Sequence, residues 1–252
     1  MSVAAVLCVM LIALPASLLR RLLPSSVVAE DLSGTVWHGS AGHLTVDGRD
    51  AGAVAWRLHP WPLFGLELAA DLHWVKIGFV ADGAIALRTQ GLTLRQVTGG
   101  GPIDDLRDFG IGAGWHGTAN FKWTLLKLTF GNGVTGGGPI RLDAAVGDAQ
   151  IEGLVSPQVA GGDDLGGYAL HAADAAIVSG TEATGTIADT GGPLAVLGTL
   201  RLSADLRTGT LSGTIKERPD ASAALRAQLA DLANLHARDA QGAIPVDLEF
   251  TL

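Results

Sequence analysis

From Leu32 onward, apolar and polar residues alternate with a period of two. In "AVAWRLHP", Val54, Trp56 and Leu58 fall on one side, and Ala55, Arg57 and His59 on the other. In "LELAADLHW", Leu66, Leu68, Ala70, Leu72 and Trp74 alternate with Glu67, Ala69, Asp71 and His73. This pattern predicts antiparallel strands with one apolar and one wet face. Further strands are expected at Ala84–Thr89, Leu92–Val97, Ala119–Phe130, Ile140–Val146, Leu170–Val178, Val196–Ala204, Thr210–Lys216 and Val246–Leu252. Asp47-Gly48 and Asp82-Gly83 carry the strongest short signal for hairpin turns. Within Ala119–Phe130 the parity changes from Phe121, Trp123 and Leu125 to Leu126, Leu128 and Phe130. A strand that keeps one face buried needs a bulge or bend to do this.

The period changes in two places. After Pro219, "DASAALRAQLADLANLHA" sets Leu225, Leu229, Leu232 and Leu235 at helical spacing, with Asp220 or Ser222 as the cap. This leucine stripe reads as core contact. At the other end, Ser2–Leu19 is 18 residues without a charge. As a helix it covers about 27 Å, close to the thickness of a bilayer core. It reads as an N-terminal transmembrane helix, with residues 1–21 as anchor and 22–252 as body. A signal peptide cleaved near Val27–Ala29 and a buried core helix are the competing readings. Arg20 and Arg21 follow the run. Taken literally, the positive-inside rule would then put the body in the cytoplasm.

Composition narrows the architecture. There are 35 glycines among 252 residues, aromatics make up 5% and charged residues 17%. Such a chain suits many strands and tight turns better than a thick helical core. Part of the glycine sits in "VTGGGPI", found at Val97–Ile103 and Val134–Ile140, with a shorter echo at Thr190–Leu194. The motif lacks the lysine of a P-loop and does not open a helix, so it reads as a repeated turn. "WHGSA" at Trp37–Ala41 recurs as "WHGTA" at Trp115–Ala119. The echoes suggest two related β-units, at about 32–114 and 115–252, side by side in one sheet. The expected fold is mainly β. It is one extended, strongly curved antiparallel sheet, an open or partial barrel, with the N-terminal transmembrane helix and one short helix near the C-terminus.

Candidate chemistry is sparse. A formal net charge of -8 and no basic face argue against nucleic acid. The single Cys8 supplies neither a disulfide framework nor a cysteine metal site. The seven histidines are scattered, and His38 and His116 read as strand-end residues bonded to backbone. Asp104, Asp105 and Asp108 lack the calcium-loop spacing, and Asp163-Asp164 reads as a solvated loop. No catalytic, cofactor or metal residues are assigned, and the protein is read as not an enzyme.

The layout of three segments carries a resemblance. They are "GTVWHGSAGHLTVDG", "AWRLHPWPLFGLELAADL" and the late stretch from "TGGPLAVLGTL" to "GAIPVDLEFTL". Together they resemble the type II secretion system protein N family over nearly the whole chain. The resemblance implies a single-pass inner-membrane protein with its body in the periplasm of a Gram-negative bacterium. It implies a non-enzymatic accessory or scaffold component whose partners are other secretion subunits. The opening Gly-Thr-x-Trp is also similar to the AsmA-like envelope proteins, and this supplies the alternative of a lipid-binding or lipid-transfer groove. A thin sheet left uncovered must curl on itself or hold something apolar. Contacts with a partner or lipid are expected along Leu66, Leu68, Leu72 and Trp74, and across to Leu200 and Leu202.

Overall fold

The computed structural model describes residues 13–21, 23, 26–104, 114–133, 138–157, 162–174, 177, 181–235 and 238–251. Thirteen strands form one antiparallel sheet in which every strand pairs only with its chain neighbours. They are β1 (Val27–Gly34), β2 (His38–Val46), β3 (Arg49–His59), β4 (Leu68–Lys76), β5 (Phe79–Arg88), β6 (Gly91–Pro102) and β7 (His116–Phe130). Then follow β8 (Ile140–Val155), β9 (Gly167–Asp174), β10 (Glu182–Gly191), β11 (Leu194–Ser203), β12 (Thr208–Glu217) and β13 (Ile244–Thr251). The first and last strands do not pair, so the sheet is open. The expected boundary between the two echo-bearing stretches, at about 114–115, falls between β6 and β7, which pair in the same sheet.

The Asp47-Gly48 turn is a two-residue loop with positive φ at both positions, 50° and 77°. That twist matches the flanking strands. The expected turn at Asp82-Gly83 does not form. Both residues lie inside β5, and the chain reverses at Ile77-Gly78 instead. Gly83 is there for space, because a Cβ on it would meet Val97 Cγ2 at 2.8 Å. A register shift in the β5–β6 pairing, between Asp82 and Ala84, sets two residues of β6, Gln96 and Val97, against Gly83. The parity change in β7 is a bulge at Thr124, with Trp123 opposite Gly147 and Leu125 opposite Val146.

The first "VTGGGPI" is not a turn. Gly99 and Gly100 are paired on both sides within β6, and Gly101 pairs with Ala119 of β7. In the second copy Val134–Gly137 lie outside the described residues. The third echo does turn the chain between β10 and β11. The segments β1 and β10 lack a clean alternation in sequence and are strands all the same, each held by its neighbours.

The helix α1 (Ala223–Leu235) starts as expected, with Ser222 Oγ accepting the Leu225 N–H at 3.0 Å. Leu225 and Leu229 pack with Leu194, Ala221 and Ile244, and Leu232 flanks them. The approach to the helix is pinned by Arg218, which donates to Gly192 O at 3.0 Å and to the Asp189 carboxylate. Burial alone would raise the Asp189 pKa. The Val196 N–H and the Arg218 guanidinium hold it below its ordinary 3.8. The group therefore adds stability that is complete above the unfolded value and is lost as pH falls through the folded one. Asp189→Asn should give a flatter loss of stability in acid than the parent, measured by denaturant titration as a function of pH.

The predicted transmembrane helix over Ser2–Leu19 needs correction. Residues 1–12 lie outside the described residues, but its last third is not part of a long helix. Pro15 bridges to Thr35, and Val36 N–H donates to Leu14 O at 2.9 Å. Ala16–Arg21 form a 3-10 turn against β1 and β2, with Ala16 buried. Proline removes a donor and disfavours helix before it, which divides the apolar run at this point. Among the described residues no helix is long and apolar enough to cross a membrane.

Candidate functional site

The register separates the two faces of the sheet across ten strands. One row, from β4 to β13, reads His73, Asp82, Thr98, Lys122, Asp148, His171, Thr186, Thr199, Ser212 and Asp247. The adjacent row on the opposite face reads Trp74, Ala81, Gly99, Phe121, Ala149, Leu170, Ile187, Gly198, Gly213 and Val246. Every position of the first is polar, and every position of the second is apolar or glycine. Among the described residues no second sheet covers the apolar side.

Large rings on this apolar side lie over glycines of the next strand. A Cβ on Gly39 would meet Trp56 Cζ2 at 2.6 Å, one on Gly99 would meet Phe121 Cζ at 2.6 Å, and one on Gly147 would meet Trp123 Cε3 at 2.7 Å. Flat rings over glycine pair across strands in the manner of aromatic rescue. Phe79 stacks on Phe121 at 6.0 Å and meets Trp74 at 5.6 Å. The layer is thus thin and half-exposed. The whole chain presents 14652 Å² of surface, against about 10,500 Å² for a compact monomer of its 25.8 kDa mass.

Two clusters bury parts of the face. One gathers Leu142, Ala145, Ala172, Ile177, Ala183 and Ala204, with Leu202 against it. The other lies under α1. Elsewhere on the apolar face Leu72, Trp74 and Leu200 stay half-exposed, and Leu68 is exposed at its edge. Leu66 is not on that face. It ends a 3-10 turn, Trp61–Gly65, in the left-handed conformation, so the predicted alternation begins only at Leu68. Leu63, Leu66, Leu68, Leu87 and the turns at Thr89-Gln90 and Gly131–Gly133 line a groove of about 830 Å³. Leu66 and Leu68 are among the expected contact residues, but the groove itself was not legible, because its walls come from three separate hairpins.

The polar face holds histidine–aspartate pairs. His73 bonds Asp82 at 2.7 Å, His171 bonds Asp148 at 2.6 Å, His59 bonds Asp71 at 3.0 Å, and His116 bonds Asp104 at 3.0 Å. His116 therefore pairs with a carboxylate and not with backbone as expected. All four pairs are exposed, and they stitch neighbouring segments at the surface. Asp163 and Asp164 are not a free solvated loop either. Asp163 accepts from the Ser222 hydroxyl, and Asp164 accepts the Gly166 N–H at 2.7 Å. Asp105 and Asp108 lie outside the described residues. Among the described residues no group of three or more His, Cys, Asp or Glu is placed to hold a metal ion.

Sequence comparison adds the decisive observation. The family model described as "Type II secretion system (T2SS), protein N" matches residues 25–247. The chain belongs to the type II secretion system protein N family. The match runs from just before β1 into β13, so it covers the entire sheet and α1. No curated protein and no solved structure matches the chain. Membership makes it a component of type II secretion and implies interaction with other parts of that machinery.

Proposed function

We propose that this member of the protein N family is a non-enzymatic accessory component of type II secretion that holds a long apolar ligand, such as a lipid acyl chain, on the open face of its sheet. The single observation that carries this is the continuous apolar row from Trp74 to Val246, which no second sheet covers among the described residues and which the cluster around Leu142 and the helix α1 cover only in part. Exposed apolar surface of this extent costs free energy in water and marks an interaction site. In this reading the body stands in the periplasm, and the apolar residues ahead of Pro15 attach it to the inner membrane.

A second reading is the scaffold implied by the resemblance, and a different observation favours it. β13 pairs only with β12, which leaves its outer edge open for strand addition by another subunit. The deciding experiment is native mass spectrometry of the full chain, extracted gently from inner membranes. The ligand reading expects stoichiometric lipid, lost in Leu72→Asp and Leu200→Asp variants that keep their strand content. Lipid-free protein that cross-links other secretion subunits along β13 would replace it with the scaffold.

A further inference from the structure

The turn between β3 and β4 stands apart from the rest of the molecule. Pro60–Leu66 reads "PWPLFGL", without a charged or hydrogen-bonding side chain apart from the indole. Trp61 is 79% exposed, Phe64 85% and Leu66 81%, so three large apolar side chains project together into solvent. The Trp61 and Phe64 rings lie 6.2 Å apart. Two prolines and a 3-10 turn stiffen the loop, so little conformational freedom is lost when it is buried.

The loop's place in the fold points to its occupant. β3 ends at His59, and Leu58 N–H donates to Trp37 O at 2.7 Å. Val36 in turn donates to Leu14 O. The chain ahead of Leu14, uncharged from Ser2, therefore joins the sheet at the same end as the aromatic loop. A protein-docking patch carries a polar rim that fixes its register, and Pro60–Leu66 carries none. A paired tryptophan and phenylalanine with leucines, and no charge, suits the boundary between lipid headgroups and acyl chains. The adjoining charges Glu67 and Arg88 are matched to each other at 2.6 Å. Insertion is thus driven by apolar area and not by attraction to anionic lipid.

We propose that Trp61, Phe64 and Leu66 seat in the bilayer surface beside the N-terminal attachment, so that the groove behind them, walled by Leu68 and Leu87, opens onto lipid. This rests on membrane attachment of the chain and adds a second contact. The test places a benzophenone amino acid at position 64 of the full chain, in vesicles of phosphatidylethanolamine and phosphatidylglycerol. A second variant carries it at position 197, where Leu197 is 65% exposed on the polar face. Photolysis should give phospholipid adducts at 64 and none at 197, read as mass shifts. Adducts to protein at 64, or equal lipid labelling at both positions, overturn the proposal. A full chain that does not partition into membranes at all overturns the attachment reading instead. In a Leu200→Asp background the adduct at 64 should persist, because docking does not depend on a filled apolar face.

Discussion

Gly147→Val should abolish the native sheet or weaken it by about 3 kcal/mol or more. Gly147 is buried on β8, opposite Trp123 on β7. A Cβ there would stand 2.5 Å from Lys122 O and 2.6 Å from Trp123 Cα. These are backbone atoms, so no rotamer change relieves the contact. The strands must part at the middle of their pairing, and β7 and β8 are the longest strands of the sheet, with 15 and 16 residues. In a sheet where each strand pairs only with its chain neighbours, a break there separates the two halves. Gly65→Ala is the control: its Cβ would meet nothing within 4 Å. It should stay within about 0.5 kcal/mol of the parent. Equilibrium denaturation followed by far-ultraviolet circular dichroism measures both. A Gly147→Val protein as stable as the parent would mean that the ring-over-glycine packing is not what holds β7 to β8.

Ile244→Ala should cost about 2–5 kcal/mol, the range for truncating a fully buried aliphatic side chain. Ile244 is 0% exposed. It meets Leu194, Leu225 and Leu229 beneath α1, and it is the first residue of the edge strand β13. An edge strand has a ladder on one side only, so its hold depends heavily on this contact. The loss should be local. Amide exchange in β13 and α1 should speed up first, while β2–β6 keep their protection. Uniform loss of protection along the whole sheet would show that the molecule unfolds as one unit and not from its end.

Most strands of the body, though not β1 or β10, the capped helix after Pro219 and the bulge in β7 could be read from residue periodicity. These are local: a period of two or of 3.6, and a parity change, are recorded in consecutive side chains. The turns were less legible. Asp82-Gly83 and the first "VTGGG" carry turn chemistry, yet lie within strands because a neighbouring strand needs the space beside them. Of the six predicted contact residues, Leu68, Leu72, Trp74 and Leu200 share the apolar side, Leu202 packs into a buried cluster, and Leu66 sits on a projecting turn.

Alone, the sequence determined that this chain makes half-wet antiparallel strands, since alternation commits each strand to one apolar and one polar face. Only the tertiary structure decided that thirteen of them pair in chain order into one open sheet. It also decided that their apolar faces align in one row, only partly covered, and that the aromatic loop and the entry of the N-terminal segment share one end. Register and strand order depend on contacts between residues far apart in the chain, and no local pattern encodes those.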